Sequence, residues 1–163
     1  MSPDSNRIIG IDPGTARVGW GMIDVKNRTE TALAYGCIET AKELPAAQRL
    51  QQIRDELTTL LTEWKPTHAV IERLFFAKNQ TTAMAVSQAR GVILLVLADC
   101  GVPFSEYTPL QVKQTITGNG KATKKDIQQM VTNLLHLDKI PKPDDAADGL
   151  ALALCGPTGP ALQ

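Results

Sequence analysis

The chain has 163 residues, 43% of them hydrophobic, and its 17 basic and 17 acidic side chains cancel to a formal net charge of zero. This length suits a single domain, residues 1–163 with a core at about 7–156, and is short for two domains. The balanced charge excludes a strongly basic protein that binds nucleic acid indiscriminately, so a nucleic-acid site has to be a local basic patch. A polar N-terminus and a longest wholly apolar run of only Val92 to Ala98 favour a cytoplasmic protein without a membrane span.

The apolar patterns predict strands first, then helices that alternate with strands. Three β-rich runs joined by short turns predict an antiparallel meander: Arg7–Asp12, Arg17–Val25 and Thr31–Glu39. An apolar stripe at helical spacing then predicts a helix from Pro45 to Trp64. The remaining predicted elements are a fourth strand Thr67–Glu72, a long helix Gln80–Asp99, a fifth strand Pro103–Tyr107, and helices Leu110–Thr117, Thr123–Leu135 and Asp144–Cys155. The predicted fold class is therefore α/β: a five-stranded mixed sheet, an antiparallel meander plus two parallel strands, flanked by helices on both faces.

Four acidic residues stand where elements begin or end. Asp12 and Glu72 each close a buried strand, while Asp145 and Asp148 lie three apart near the start of the last helix and so share one face. A carboxylate at the end of a buried strand is costly unless something compensates its charge. Oxygen-only ligands point to Mg²⁺ or Mn²⁺, the ions of phosphoryl chemistry.

Each acidic residue also has an ordinary structural interpretation. Asp144 and Asp145 stand in the first helical turn, where negative charge is stabilised by the helix dipole. Asp12 precedes Pro-Gly and suits an Asx-turn, and Glu72 suits a strand-end ion pair with Arg73 or a lysine. Spacing alone does not choose between Asp144 and Asp145.

Two other features suggest contact with nucleic acid. The stretch from Tyr107 to Lys125 contains no acidic residue and carries four lysines: Lys113, Lys121, Lys124 and Lys125. Such a patch suits phosphate binding, and a solvated surface is the alternative. Phe75 and Phe76 follow the Glu72 strand directly, so one ring can stack on an unpaired base while the other packs in the core, and core packing for both is the alternative.

The ordered motifs resemble the RuvC family of Holliday junction resolvases, within the RNase H-like superfamily. The resemblance runs from about Arg7 to Gly156. The matching segments are Gly10-Ile-Asp-Pro-Gly-Thr15, Ile71-Glu72, Phe75-Phe76-Ala-Lys-Asn79, Gln88-Ala-Arg-Gly91, Gln111-Val-Lys-Gln-Thr115 and Asp145-Ala-Ala-Asp148. The Asp-Pro-Gly turn is weakly specific, whereas the Phe-x-Ala-Lys-Asn, Gln-Ala-Arg-Gly and Val-Lys-Gln-Thr segments in this order are highly specific. One departure is the short tail after Gly156, which lies outside the catalytic pattern.

The resemblance implies an RNase H-like nuclease that resolves four-way DNA junctions. It places the metal-binding and catalytic carboxylates at Asp12, Glu72, Asp145 and Asp148, with two Mg²⁺ ions per subunit and Mn²⁺ as a substitute. Two such ions would lie about 4 Å apart across the scissile phosphate, and hydrolysis would leave 5′-phosphate and 3′-hydroxyl ends. The resemblance also implies DNA contacts by Phe75, Lys78, Lys113 and Lys124, with Lys121 and Lys125 as further candidates.

Two copies of the chain suit the two-fold symmetry of a junction that is cut twice, so a homodimer is expected. The predicted helix Gln80–Asp99 could form the interface, and Gly91 in its middle would permit the close approach of another helix; packing within one chain is the alternative. The family further implies RuvA and RuvB as the branch-migration partners.

Three other functions are weaker. A binding module without activity gains nothing from four carboxylates beside phosphates. A fragment of an actin-like ATPase would need a second related domain and phosphate loops. A related RNA-processing family lacks the Phe-x-Ala-Lys-Asn segment.

Overall fold

The computed structural model describes residues 6–74 and 80–156. Within these ranges the strands are β1 Asn6–Asp12, β2 Arg17–Lys26, β3 Thr29–Glu39, β4 His68–Glu72 and β5 Phe104–Tyr107. The helices are α1 Ala46–Trp64, α2 Gln80–Asp99, α3 Pro109–Thr117, α4 Lys124–Leu134 and α5 Asp144–Cys155. Each predicted strand and helix is present among the described residues. The predicted first and last residues differ from the observed ones by two positions or fewer.

The five strands form one mixed sheet in the order β3-β2-β1-β4-β5. β1 pairs antiparallel with β2, and β2 with β3, whereas β4 lies parallel to both β1 and β5. The β2–β3 hairpin closes through Asn27 and Arg28, whose φ angles of 52° and 62° suit a two-residue turn that follows the twist of the strands. The predicted meander with two further parallel strands is confirmed.

Helices cover both faces of this sheet, as predicted. Alternation along β1 sends Ile9 and Ile11 to one face and Ile8 to the other. The first face packs against α1 and α2, including the fully buried Ile53 and Ile93. The second packs against α3, α4 and α5, so the sheet is the middle of three layers.

The turn residues at the helix ends follow from local chemistry. α3 and α4 each begin with a threonine, Thr108 and Thr123, whose hydroxyl accepts a hydrogen bond from a backbone N–H three residues later in a capping box. α3 ends at Gly118, which adopts a left-handed φ of 72° that glycine accommodates without strain. Gly118 and Thr123 therefore bound the segment between the two helices, which contains Lys121.

α2 is, in the described part of the chain, the one helix long and apolar enough to cross a membrane by length and composition alone. The uninterrupted apolar run from Val92 to Ala98 is shorter than the apolar part of this helix, because alanines and a valine precede the run. Ala89 and Ile93 of this helix pack into the first core, but only 22% of its apolar window is buried.

Candidate active site

Two of the four acidic residues meet because their strands are parallel neighbours. Asp12 is the last residue of β1 and Glu72 the last residue of β4. Ile11 pairs with Ile71 in the parallel ladder, so Asp12 and Glu72 emerge side by side at the same edge of the sheet. The carboxyl ends of adjacent parallel strands are where α/β sheets commonly build their sites.

The other two acidic residues arrive on α5, which lies almost against the backbone of the sheet. A Cβ at Gly10 of β1 would stand 1.9 Å from the carbonyl oxygen of Gly149, and a Cβ at Gly19 of β2 would stand 2.0 Å from that of Asp145. Only glycine permits so close an approach. The strand glycines therefore allow the backbone of α5 to lie close to the sheet. This short distance between helix and sheet brings Asp145 and Asp148 near Asp12.

The carboxylates converge as a result. Asp12, Asp145 and Asp148 each offer a carboxylate oxygen, and these three oxygens all lie within 4.8 Å of one another. Glu72 joins the group through Asp12, because the two side chains share a hydrogen bond. The site opens into a cavity of about 240 Å³ lined by Asp12, Glu72, Pro109, Val112, Lys113, Lys124, Ile127, Asp148, Ala151 and Leu152.

Burial and mutual repulsion make this cluster a poor place for uncompensated negative charge. Burial, then the neighbouring charge of Glu72, raises the pKa of Asp12 to about 9. Burial also raises the pKa of Glu72 and that of Asp148, although Lys124 opposes the increase at Asp148. The proton retained by Asp12 lets its carboxyl donate one hydrogen bond, to Glu72 or to Asp148.

Cationic side chains flank the cluster on two sides. Lys124 Nζ lies 3.5 Å from Asp148 Oδ2, and Arg17 Nη1 lies 3.6 Å from Asp145 Oδ2. Arg17 also lies 3.5 Å from Glu39 through its Nε. Arg17 was not among the site residues predicted from the sequence. The pairing of β1 with β2 could have indicated it: Gly19 pairs with Asp12, so Arg17 at the start of β2 lies beside the end of β1.

The donor set fits a hard divalent cation. The grouped ligand atoms are carboxylate oxygens, the ligands preferred by Mg²⁺ and Mn²⁺, and they are close enough for one ion to contact several of them. Burial and the neighbouring carboxylates raise the pKa of Asp12, and a bound dication would oppose both effects by supplying positive charge.

The remaining predicted site residues fall into three groups. Lys113 and Lys124 lie in the wall of the cavity, as the basic-patch hypothesis requires of residues near the carboxylates. Lys121 and Lys125 are exposed and outside that wall. Phe75 and Lys78 lie outside the described residues, so their predicted contacts with DNA stay predictions.

Asp144 and Asp145 have different surroundings in the structure. Its carboxylate lies 3.1 Å from Lys142 Nζ, and its side chain is 48% exposed, against 30% for Asp145. The Lys142 ammonium lowers the pKa of Asp144. Asp145 therefore belongs to the cluster, while Asp144 has the exposed ion pair of an ordinary helix start.

The raised pKa of Asp12 predicts a pH-dependent stability for the metal-free protein. Between the ordinary carboxyl pKa of 3.8 and the raised value of about 9, the folded state holds a proton that the unfolded state releases. Stability must therefore fall as the pH rises through this window. We expect Asp12→Asn to be more stable than the unsubstituted protein at about pH 8, by at least about 1.4 kcal/mol, and to lose this advantage near about pH 4.

Thermal unfolding in the presence of a chelator measures this difference. Added Mg²⁺ should stabilise the unsubstituted protein and leave Asp12→Asn nearly unchanged, because ion binding to the folded state shifts the unfolding equilibrium. An Asp12→Asn protein that is less stable than the unsubstituted protein at both pH values would contradict the charge repulsion described here.

The sheet order and the acidic cluster at the ends of β1 and β4 and on α5 define an α/β protein with an RNase H-like fold. The family model of Crossover junction endodeoxyribonuclease RuvC matches residues 8–156. The chain belongs to the RuvC family.

Relatives and solved structures agree with this assignment. The chain is 51% identical over 148 residues to Crossover junction endodeoxyribonuclease RuvC of Heliobacterium modesticaldum, with 91% of each protein covered. It is 45% identical over 148 residues to the RuvC of Pseudothermotoga lettingae, again with 91% of each covered. Its structure is similar to that of Thermus thermophilus RuvC in complex with a Holliday junction substrate, with a TM-score of 0.87, 33% identity and 91% of each chain covered.

Proposed function

We propose that this protein is a structure-selective endonuclease that resolves Holliday junctions in DNA recombination and repair, in the cytoplasm. The single observation that carries the proposal is the convergence of three carboxylates within 4.8 Å in a chain of the RuvC family. Related proteins named crossover junction endodeoxyribonuclease, and a related structure solved with a junction, support the choice of substrate. Hydrolysis would leave 5′-phosphate and 3′-hydroxyl ends.

The carboxylates would hold two divalent cations, Mg²⁺ or in its place Mn²⁺. When bound, such ions would activate a water for in-line attack on the phosphate and stabilise the leaving 3′ oxygen. Asp12 and Glu72 project from the ends of paired strands, which would limit their movement when a ligand enters. Asp145 and Asp148 are held by a helix whose backbone rests on the sheet, which preserves the geometry of the ligand set.

Lysines would supply the contacts to DNA phosphates. Lys113 and Lys124 face the cavity that holds Asp12, so they would act on phosphates next to the scissile bond. Lys121 and Lys125 are exposed beside the same helix start and would bind phosphates farther away. Binding by such contacts is sequence-independent and depends on salt.

The distant lysines yield a graded prediction. Lys121→Ala and Lys125→Ala should weaken junction binding and flatten the dependence of log affinity on log salt by up to about one unit each. Lys26→Ala is the matched control, since Lys26 is also exposed but ends β2 at the opposite edge of the sheet from Asp12. Binding titrations at several salt concentrations decide the matter, and equal slopes for all variants would exclude the patch.

The proposed assembly is a homodimer formed through α2. Met84, Gly91 and Leu95 lie seven and four residues apart along one face of this helix, and Met84 and Leu95 are 67% and 58% exposed. A Cβ at Gly91 would meet nothing within 4 Å among the described residues, so packing against those residues does not account for this glycine. A second copy at this face would place two active sites on one junction, and RuvA and RuvB would act on the same junction.

The decisive experiment is the cleavage of a synthetic four-way junction, compared with a linear duplex of the same sequence, with and without Mg²⁺. We expect cleavage of the junction alone, in paired strands, and none after chelation. Ligation of the products would verify the 5′-phosphate and 3′-hydroxyl ends. Junction binding without cleavage in Mg²⁺ or Mn²⁺ would instead identify a binding module on the same fold.

A further inference from the structure

Asp12 is followed directly by a tight turn that connects β1 to β2. β1 ends at Asp12, and the next residues, Pro13 to Ala16, form no regular element before β2 begins at Arg17. The turn is tight, since a Cβ at Gly14 would lie 2.2 Å from the carbonyl oxygen of Arg17. Asp12 is the last residue of β1, so the chain on its C-terminal side is held by this turn and not by a strand.

One residue from a distant part of the chain holds this turn. Thr40 follows the last residue of β3 and is 6% exposed. Its hydroxyl donates a hydrogen bond to the carbonyl oxygen of Thr15 at 2.6 Å, and its backbone N–H donates to that of Ala16 at 3.0 Å. The side-chain hydroxyl of Thr15 is buried with no hydrogen-bond partner among the described residues, so only backbone carbonyls of the turn accept the two hydrogen bonds from Thr40.

Arg49 orients the hydroxyl of Thr40. Its Nε–H donates to Thr40 Oγ1 at 2.8 Å from near the start of α1. A threonine hydroxyl has one proton and two lone pairs. Because the guanidinium can only donate, it occupies a lone pair and leaves the proton of Thr40 for the carbonyl of Thr15. A hydrogen bond from a charged donor is also stronger than a neutral one.

We propose that Thr40, oriented by Arg49, is a positioning residue for the Asp12 carboxylate. It would act through the Thr15 and Ala16 carbonyls and would touch neither DNA nor cation. This inference rests on the proposed function, since it concerns the placement of a proposed metal ligand. The structure contains the groups required: a buried hydroxyl, two acceptors on the turn and one charged donor.

Three substitutions test the proposal. Thr40→Val removes the hydroxyl at nearly constant volume, and Thr40→Ser retains it. Thr132→Val is the matched control, because Thr132 is 8% exposed and its hydroxyl donates to the Gln128 carbonyl of its own helix at 2.7 Å. Thr40 and Thr132 are both buried threonines, so the same chemical change is made next to the Asp12 turn and within another element.

The readouts are Mn²⁺ affinity by electron paramagnetic resonance, the single-turnover rate of junction cleavage, and thermal stability. We expect Thr40→Val to weaken Mn²⁺ binding and slow cleavage by about tenfold each, as loss of a residue that orients a ligand does elsewhere. Thr40→Ser should restore both to within about threefold, and Thr132→Val should change only stability.

Several results would overturn the proposal. Mn²⁺ affinity and rate at the unsubstituted level in folded Thr40→Val would do so, as would an equal loss in Thr132→Val or no rescue by serine. If Thr40→Val does not fold, Arg49→Met serves in its place, with weaker Mn²⁺ binding expected and unchanged binding as the contrary result. If the unsubstituted protein binds Mn²⁺ but cuts no junction, the proposed function fails, and the Mn²⁺ titrations still decide the positioning role.

Discussion

Replacement of any one of the four carboxylates by its amide, in Asp12→Asn, Glu72→Gln, Asp145→Asn or Asp148→Asn, should abolish Mg²⁺-dependent junction cleavage. An amide is nearly isosteric with a carboxylate but carries no charge, so it binds a dication far more weakly. Loss of several kcal/mol of transition-state stabilisation corresponds to a rate decrease of about a thousandfold or more. Single-turnover cleavage in Mg²⁺ measures this effect.

Junction binding should survive in the same four variants. In a chelator Asp12 already holds a proton below about pH 9, so Asp12→Asn should leave the affinity for DNA unchanged. At the other three positions the amide removes a source of repulsion toward DNA phosphates, so affinity should stay constant or increase. This separation of cleavage from binding distinguishes a lost metal ligand from a lost fold. A variant that keeps near-normal cleavage would remove that residue from the proposed site.

Asp144→Asn is the matched control for this series. Asp144 adjoins Asp145 in the sequence, but its carboxylate pairs with Lys142 and its side chain is 48% exposed. The substitution should cost only the helix-end stabilisation, about 0.3–1 kcal/mol, and leave cleavage within about threefold. A large loss of cleavage in Asp144→Asn would mean that the ligand on α5 has been assigned to the wrong aspartate.

Gly149→Ala should cause the largest loss of stability among single methyl additions at the described helical glycines. A Cβ at Gly149 would lie 2.4 Å from the carbonyl carbon of Trp20 and 2.6 Å from the backbone nitrogen of Gly21. Both atoms belong to the backbone of β2, which cannot yield as a side chain can. We expect a decrease of at least about 3 kcal/mol in the free energy of unfolding, the upper part of the usual range for overpacking.

The same substitution should damage the site. α5 carries Asp145 and Asp148, and a helix displaced from the sheet moves both away from Asp12. Denaturant unfolding measures the stability, and Mn²⁺ titration of the fraction that remains folded measures the site. We expect lower stability and weaker Mn²⁺ binding, because the same contact determines the distance of α5 from the sheet and the convergence of the carboxylates.

Gly91→Ala is the corresponding control in another long helix. A Cβ there meets nothing within 4 Å among the described residues, and alanine favours a helix over glycine by about 1 kcal/mol. The fold should be unharmed, and sedimentation should report any weakening of the proposed dimer. A Gly149→Ala protein as stable as Gly91→Ala would contradict the close contact between α5 and the sheet.

The order and kind of the elements follow from local patterns, and the sequence was sufficient to predict them. Apolar alternation and turn residues placed β1, β2 and β3 in a meander, and helical spacing from Leu50 to Trp64 indicated α1. These signals are local because side-chain periodicity is two in a strand and 3.6 in a helix. Ends were less certain: Thr29 and Glu30 joined β3 although they are polar, because the two-residue turn at Asn27 and Arg28 keeps the strands paired.

The four candidate ligands could also be identified from the sequence. The choice between Asp144 and Asp145 at the start of α5, however, could not be made from residue spacing. Asp144 and Asp145 are adjacent acidic residues in one helical turn, and local chemistry treats them alike. The difference arises in three dimensions, where Arg17 lies beside Asp145 and Lys142 beside Asp144. Contact with β2 decides which of the two faces Asp12.

What only the tertiary structure decided is the set of residues that support the ligands from a distance. Thr40 and Thr15 are 25 positions apart, and Arg17 and Asp145 are 128 apart (145 − 17), so no pattern of neighbouring residues links them. The distance of α5 from the sheet likewise depends on three glycines in two strands, Gly10, Gly19 and Gly21, which contact this one helix. The amino-acid sequence by itself determined the elements and the acidic residues at their ends, because those signals are local. The convergence of these residues and the support of Asp12 required the packed sheet, because hydrogen bonds and close backbone contacts join segments that periodicity treats as independent.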